Sequence, residues 1–290
     1  MTCALCPRNC RGPRTPDRPG GVCGQPSAPV VARAMLHQWE EPCLVGEHGA
    51  GAVFFSGCNL RCAYCQNKPI SQGGVGKPVS VPRLREIFRE LIAQGAACLD
   101  LVTPTHFTPA ILEALGEEPW PVPVVWNCGG YETPETLRLL EGRVQVYLPD
   151  LKYALPGPAG KYSAAPDYFD RAAPAIWEMF RQTGPYRMEN GHLKSGVLIR
   201  HLLLPGEPEN TRRVIDWVSE AFRPGDVLFS LMSQYTPQPG ASGNLSRHVT
   251  RAEYRAAAEY MENCGIADGY TQERTSAREE YTPDFDLSGI

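Results

Sequence analysis

From Gly51 onward the chain alternates between short apolar runs and longer stretches whose apolar positions recur at helical spacing. The runs Gly51–Gly57, Cys98–Thr103, Val122–Asn127, Val144–Leu151, Val197–Leu204 and Val227–Leu231 read as strands. Val81–Gln94, a segment starting near Thr108, Pro134–Glu141, Asp167–Gln182, Glu209–Phe222 and Arg251–Glu262 read as helices. Ser80, Thr108, Thr133 and Thr250 suit helix N-caps, because a side-chain oxygen there satisfies an N–H that lacks a partner in the first turn. Strand–helix alternation repeated about six times predicts an α/β fold of parallel strands joined by right-handed crossovers. Eight repeats would close a barrel, whereas six predict an open, partial barrel or an open doubly wound sheet. Either places chemistry at the carboxyl ends of the strands.

Residues 1–50 are different. They are rich in Cys, Pro, Gly and Arg and show no sustained apolar periodicity until about Pro29. They read as a small Cys-rich, metal-stapled segment leading into a linker or hairpin, with the α/β domain over residues 51–290. A hydrophobic share of 42% over 290 residues predicts a substantial core. The net charge of −4 and a pI near 5.9 give no basic footprint, so nucleic acid is the least favoured partner. No apolar run approaches the ~18 residues of a membrane span. The N-terminus lacks the basic-then-apolar layout of a secretory leader, which leads to the expectation of a cytoplasmic chain without membrane contact.

Eleven cysteines are many for a chain with these features, and most fall into two tight groups. Short spacings place thiolates around one point, which favours metal ligation over disulfide stapling. Cys58-x3-Cys62-x2-Cys65 lies just past the first predicted strand, where the fold expects an active site. Soft thiolates so close together suit zinc or iron–sulfur. Three of them leave one metal position open, unless a distant fourth ligand completes a zinc site.

This loop, with Tyr64 before its last cysteine, resembles the signature of the radical S-adenosylmethionine superfamily. The resemblance implies a [4Fe–4S] cluster on Cys58, Cys62 and Cys65 whose fourth iron chelates S-adenosylmethionine. It also implies reductive cleavage of that cofactor to a hydrogen-abstracting 5′-deoxyadenosyl radical, an external one-electron reductant, and a partial (β/α)6 barrel. Residues 50–235 are most similar to the branch of pyruvate formate-lyase activating enzymes. Asp150-Leu151-Lys152 resembles that branch's Asp-Leu-Lys motif, and Arg200 lies on a strand resembling one that reaches the cofactor. Lys152 or Arg200 would pair with the methionyl carboxylate. Asn127 would hydrogen-bond the cofactor beside Gly129 and Gly130, and Tyr64 would face adenine. Two places depart from the branch. A Gly-Gly-Glu-type motif is replaced by a stretch in which Thr103, Thr105 and His106 are candidates, and Ser233-Gln234-Tyr235 stands where the branch has Tyr-His.

Cys3, Cys6, Cys10 and Cys23 make a second set of four, a closed number that suits a structural site for zinc or an auxiliary [4Fe–4S] cluster. The Leu5–Cys10 run resembles the N-terminal segment of activase-like radical enzymes, which leaves the metal open. Arg8, Arg11, Arg14 and Arg18 surround the set. A staple is the first reading and an electron relay the second. Cys43, Cys98, Cys128 and Cys264 stand alone and read as packed residues, and Glu40, Glu41 and His48 carry no assigned role. Three functions follow: an activase that abstracts hydrogen from a partner protein, a radical enzyme modifying a small molecule, peptide or RNA, or a non-enzymatic iron–sulfur carrier or zinc-stabilised binding protein.

Overall fold

The computed structural model describes residues 3–271 and 283–290. Among the described residues ten strands form one sheet: β1 (Val30–His37), β2 (Ala50–Phe55), β3 (Lys77–Pro78), β4 (Leu99–Val102), β5 (Val124–Cys128), β6 (Val146–Pro149), β7 (Arg187–Glu189), β8 (His192–Leu202), β9 (Leu228–Met232) and β10 (Gly269–Thr271). Their order is β10-β9-β8-β6-β5-β4-β2-β1-β3, with β7 hydrogen-bonded to β8. The six predicted strands are β2, β4, β5, β6, β8 and β9, all parallel, and β10 continues the parallel series beside β9. β1 runs antiparallel to β2, with Val31 opposite Phe55 and His37 opposite Ala50, so the sheet begins upstream of Gly51.

Along the parallel series the strand order never reverses. Right-handed crossovers that all move in one direction put their helices on one face, so the doubly wound alternative does not apply. No pairing joins β10 to β3, and among the described residues the sheet is open. The helices are α1 (Pro42–Val45), α2 (Lys68–Ser71), α3 (Val81–Ala93), α4 (Thr108–Leu115), α5 (Pro134–Arg138), α6 (Pro156–Ser163), α7 (Tyr168–Thr183), α8 (Pro208–Ala221) and α9 (Arg251–Asn263).

Strand side chains alternate between two environments, as the two-residue period requires. Val53, Leu101, Trp126, Tyr147 and Ile199 pack in one cluster with Ile87, Ile111, Ile176 and Val214 of the helices. Their neighbours Ala50, Cys98, Val125, Val146, Leu198 and Leu228 form a separate cluster closed by Cys43 and Leu44 of α1. Higher on that inner face the chain becomes polar, at Asp100, Asn127, Asp150 and Arg200. One cavity is lined at once by residues of β1, β2, β4, β5, β8 and β10, so the sheet wraps around its inner face.

The helices form where caps and apolar spacing agree. Ser80 accepts the Arg83 N–H, and Leu84, Ile87, Phe88 and Leu91 then bury one stripe of α3. Thr250 and Glu253 make a reciprocal capping box on α9. Thr133 caps α5, but Thr108 does not cap α4. A 3-10 turn over Thr105–Phe107 leads directly into that helix, so Thr108 is its first residue, and its hydroxyl donates back to the Thr105 carbonyl at 2.6 Å. Ile87→Ala is expected to lower stability by ~2–5 kcal/mol, whereas Arg89→Ala on the exposed face of α3 changes it by under ~0.5 kcal/mol. Urea denaturation of the two variants checks the contrast.

Candidate metal and cofactor site

β2 delivers the chain through Ser56 and Gly57 into the cysteine loop. Gly57 has φ +82, and a Cβ there would lie 2.7 Å from the Cys23 carbonyl oxygen, so neither the torsion nor the space admits a side chain. The loop is fastened along its length. The Gly57 N–H donates to the Ile70 carbonyl at 2.8 Å, Asn59 Nδ2 to the Tyr131 carbonyl at 2.6 Å, and the Ala63 N–H to the Tyr162 carbonyl at 2.8 Å.

Each of the three sulfurs accepts a hydrogen bond. Cys58 Sγ takes the Leu60 N–H at 3.3 Å, Cys62 Sγ the Ser163 hydroxyl at 3.0 Å, and Cys65 Sγ the Ser71 hydroxyl at 3.2 Å. Donors aimed at sulfur favour the thiolate. Burial pushes the Cys58 and Cys65 thiols up, and the Cys62 charge beside them adds to it. A bound metal centre reverses that balance, because its positive charge holds the thiolate form. Among the described residues no three His, Cys, Asp or Glu side chains are grouped to hold one metal ion. The three thiols instead line a shared cavity of about 240 Å³, an arrangement that fits a cluster whose irons each take one thiolate.

The same cavity is lined by Thr103, Asn127, Asp150, Lys152 and Arg200. Lys152 Nζ donates to Asp150 Oδ2, Arg200 Nε donates to Asp150 Oδ1 at 3.0 Å, and Arg200 Nη2 donates to Asn127 Oδ1 at 2.6 Å. Burial alone would raise Asp150, yet Lys152 and Arg200 hold its carboxyl below the usual range. Burial likewise opposes the Lys152 charge, which Asp150 and the Cys62 thiolate sustain. The turn that brings β5 to this wall requires Gly130, whose φ is +74 and whose Cβ would lie 2.1 Å from the Asp150 carbonyl oxygen. Tyr64 also lines the cavity. Its hydroxyl sits 2.8 Å from that of Tyr153, which is 2.7 Å from the Ser163 hydroxyl that reaches Cys62.

The three candidates that replace the Gly-Gly-Glu motif separate cleanly. Thr103 lines the cavity and has φ +60, a left-handed torsion that is strained for a β-branched residue. Thr105 points elsewhere and donates to Glu132 Oε1 at 2.6 Å. His106 Nε2 lies 2.7 Å from the Ser56 carbonyl oxygen, in the wall of another cavity. Met232 and Gln234 line the site, while Tyr235 turns away and donates to the Leu245 carbonyl at 2.6 Å. Cys3, Cys6, Cys10 and Cys23 meet around that other cavity, and all eleven cysteines are free. Cys43, Cys98 and Cys128 are buried among apolar neighbours, Cys264 is half-buried, and His48 is exposed.

Glu40 is the main residue without a role in the sequence reading that belongs to this site. Its Oε1 accepts Arg200 Nη1 at 2.9 Å and its Oε2 accepts Asn127 Nδ2 at 3.0 Å. Asp100 joins through Asn127 Nδ2 at 3.3 Å, and burial with the Glu40 charge beside it pushes its carboxyl well above the usual range. A lone Asp on the inward side of the apolar run Leu99–Val102 is a signal that would have flagged it. Glu40 also lines a second cavity of about 490 Å³, together with Trp39, Glu41 and Tyr270, and the two cavities share Gln66, Asn67, Val102, Asn127, Arg200 and Gln234.

The site therefore belongs to an α/β sheet, mainly parallel and open among the described residues, that carries a cysteine-lined pocket at the carboxyl end of its parallel strands. Residues 45–115, which contain the cysteine loop, match the family described as a 4Fe-4S single cluster domain. Over 278 residues the chain is 28% identical to uncharacterized protein MJ0674 of Methanocaldococcus jannaschii, covering 91% of this chain and 75% of that one. Among solved structures it aligns with Streptococcus suis SuiB bound to S-adenosylmethionine, at TM-score 0.48 and 11% identity over 75% of this chain and 48% of that one. SuiB bound to its precursor peptide SuiA gives a TM-score of 0.49 at 11% identity, over 75% of this chain and 47% of that one. The chain thus spans about half the length of SuiB. Among the described residues no helix is long and apolar enough to cross a membrane.

Beside the site, burial pushes the Glu132 carboxyl from 4.5 up to about 8, against the Thr105 hydroxyl bond that lowers it. The folded chain then binds this proton more tightly than the unfolded chain, so the group's contribution to stability is present at low pH and is lost as pH rises toward 8. Glu132→Gln keeps an acceptor for Thr105 and is expected to flatten that decline by about 3 kcal/mol, read from urea denaturation between pH ~5 and ~8.

Proposed function

We propose that the chain is a radical S-adenosylmethionine enzyme whose cluster sits on Cys58, Cys62 and Cys65. One observation carries the reading: three hydrogen-bonded thiols and the Asp150–Lys152–Arg200 network line the same cavity. The match of residues 45–115 to a single-cluster 4Fe-4S domain supports the metal. The unreversed, open sheet supports the partial (β/α)6 barrel that the motif resemblance implies.

When bound, a [4Fe–4S] cluster with an open iron supplies the chelation and one-electron reduction that cleave S-adenosylmethionine to a hydrogen-abstracting 5′-deoxyadenosyl radical. The protein's own residues position the cofactor for that event. Lys152 and Arg200 offer donors for the methionyl carboxylate, with Asp150 keeping both charged and aimed. Thr103 presents a hydroxyl from the strand end where the related branch has its Gly-Gly-Glu motif. The hydroxyl chain of Tyr64, Tyr153 and Ser163 holds the aromatic wall against the Cys62 side of the loop. Substrate would occupy the adjoining cavity beside Trp39 and Glu41, next to the cofactor rather than on the metal. An activating enzyme acting on a partner protein is the finer form of this reading, supported by Asp150-Leu151-Lys152 and Arg200. A soluble cytoplasmic chain served by an external one-electron reductant fits the same chemistry.

After anaerobic reconstitution and strong reduction, the wild type is expected to convert S-adenosylmethionine to 5′-deoxyadenosine, and Cys62→Ala is expected to form none. Equal product from both sinks the assignment. Loss of one charged hydrogen bond, worth ~1.5–3 kcal/mol, should raise the Kd for S-adenosylmethionine about ten- to a hundredfold in Lys152→Ala, measured by equilibrium dialysis.

A further inference from the structure

Outside the site just described, four more thiols meet. Cys3, Cys6, Cys10 and Cys23 surround one small cavity whose walls also include Arg14 and His106. Cys3 Sγ accepts from Arg14 Nη1 at 3.3 Å, Cys10 Sγ accepts the Val22 N–H at 3.4 Å, and the Cys23 thiol donates to the Gly20 carbonyl at 3.7 Å. Arg14 is 8% exposed, and the fold fixes its charge against sulfur through further bonds to the Gln25 carbonyl at 2.9 Å and the His106 carbonyl at 2.9 Å. His106 Nδ1 is buried with no hydrogen-bond partner, in a residue that lines the same cavity.

This set is built onto the first one. The Cys23 carbonyl abuts Gly57, the residue before Cys58. Arg8 donates to the carbonyls of Asn59 at 2.8 Å and Ser163 at 3.1 Å, and the Ser163 hydroxyl donates to Cys62 Sγ. His106 bonds the Ser56 carbonyl on the same turn. A staple for the N-terminal segment alone requires no such contacts with the neighbouring ligand loop. Among the described residues no three His, Cys, Asp or Glu side chains are grouped to hold a single metal ion, so the four thiols are not drawn together around one zinc.

We propose that Cys3, Cys6, Cys10 and Cys23 hold a second iron–sulfur cluster, which relays single electrons from a low-potential carrier protein to the cluster on Cys58, Cys62 and Cys65. In each cycle the reduced carrier is oxidised by one electron, the relay cluster is reduced and then reoxidised, and the inner cluster gains that electron. No atom is transferred. The relay rests on the function proposed above, whereas the second cluster does not.

The first test is a metal count on the full chain with Cys58, Cys62 and Cys65 all changed to Ala, reconstituted anaerobically. About four iron and four sulfide per chain are expected. Zinc without iron, or no metal, overturns the proposal. Should that variant not fold, Mössbauer spectroscopy of the iron-57-loaded wild type settles the same point, with about eight iron expected and about four overturning it. The relay is read by rapid-freeze EPR of inner-cluster reduction, without S-adenosylmethionine. Reduced flavodoxin and titanium(III) citrate are compared as donors in the wild type and in a Cys6→Ser, Cys10→Ser double variant. The variant's flavodoxin-driven rate should fall by an order of magnitude relative to its titanium-driven rate. An unchanged ratio between the two donors overturns the relay.

Discussion

Arg200 is 14% exposed on the inner face of the sheet, and its guanidinium bonds Glu40, Asn127 and Asp150 at once. These partners come from the β1–α1 connection, from β5 and from the end of β6, so one side chain ties together segments distant in sequence. Charges taken out of water cost several kcal/mol each unless paired and hydrogen-bonded. Here Glu40 and Asp150 face Arg200 and Lys152, two negative groups against two positive ones. Removing Arg200 would leave buried carboxylates uncompensated, and the wall facing the cysteine loop would lose its shape along with its charge. The pocket is therefore an electrostatic construction before it is a binding site.

The sheet makes room for this construction by dividing its inner face. Ala50, Val125, Val146 and Leu198 fill one end tightly with α1, and the polar group begins one strand period further on. Small residues on β2, Ala50 and Ala52, keep that strand from crowding the interior, while aromatic bulk such as Trp126 and Tyr147 is sent to the helix side. Because β2, β4, β5, β6, β8 and β9 all run the same way, the polar end of the inner face coincides with the loops that carry the thiols.

Much of this was legible in the sequence because it is local. Apolar runs identify β2, β4, β5, β6, β8 and β9, and motif resemblance together with strand-end position selects Asn127, Asp150, Lys152 and Arg200. Cysteine spacing locates the metal loop without reference to the fold. What escaped depends on distant contacts. Glu40 acquires its partners only because β1 adds antiparallel to β2 and carries the following turn across the pocket. Ser163 reaches Cys62 from a helix end about a hundred residues away in sequence, and no local pattern marks it. Thr108 looked like a cap because the preceding 3-10 turn has no periodic signature of its own.

The open sheet raises a problem that a closed barrel avoids. An edge with free backbone donors and acceptors is a template on which another chain can add strands and begin to aggregate. At one end this chain finishes with β3, a two-residue strand of Lys77 and Pro78, both exposed. Proline has no N–H to offer an incoming strand, and lysine places a charge where a neighbour would lie. The fold can thus leave its ladder unfinished on that side, with a mouth free to vary in width, without inviting self-association there.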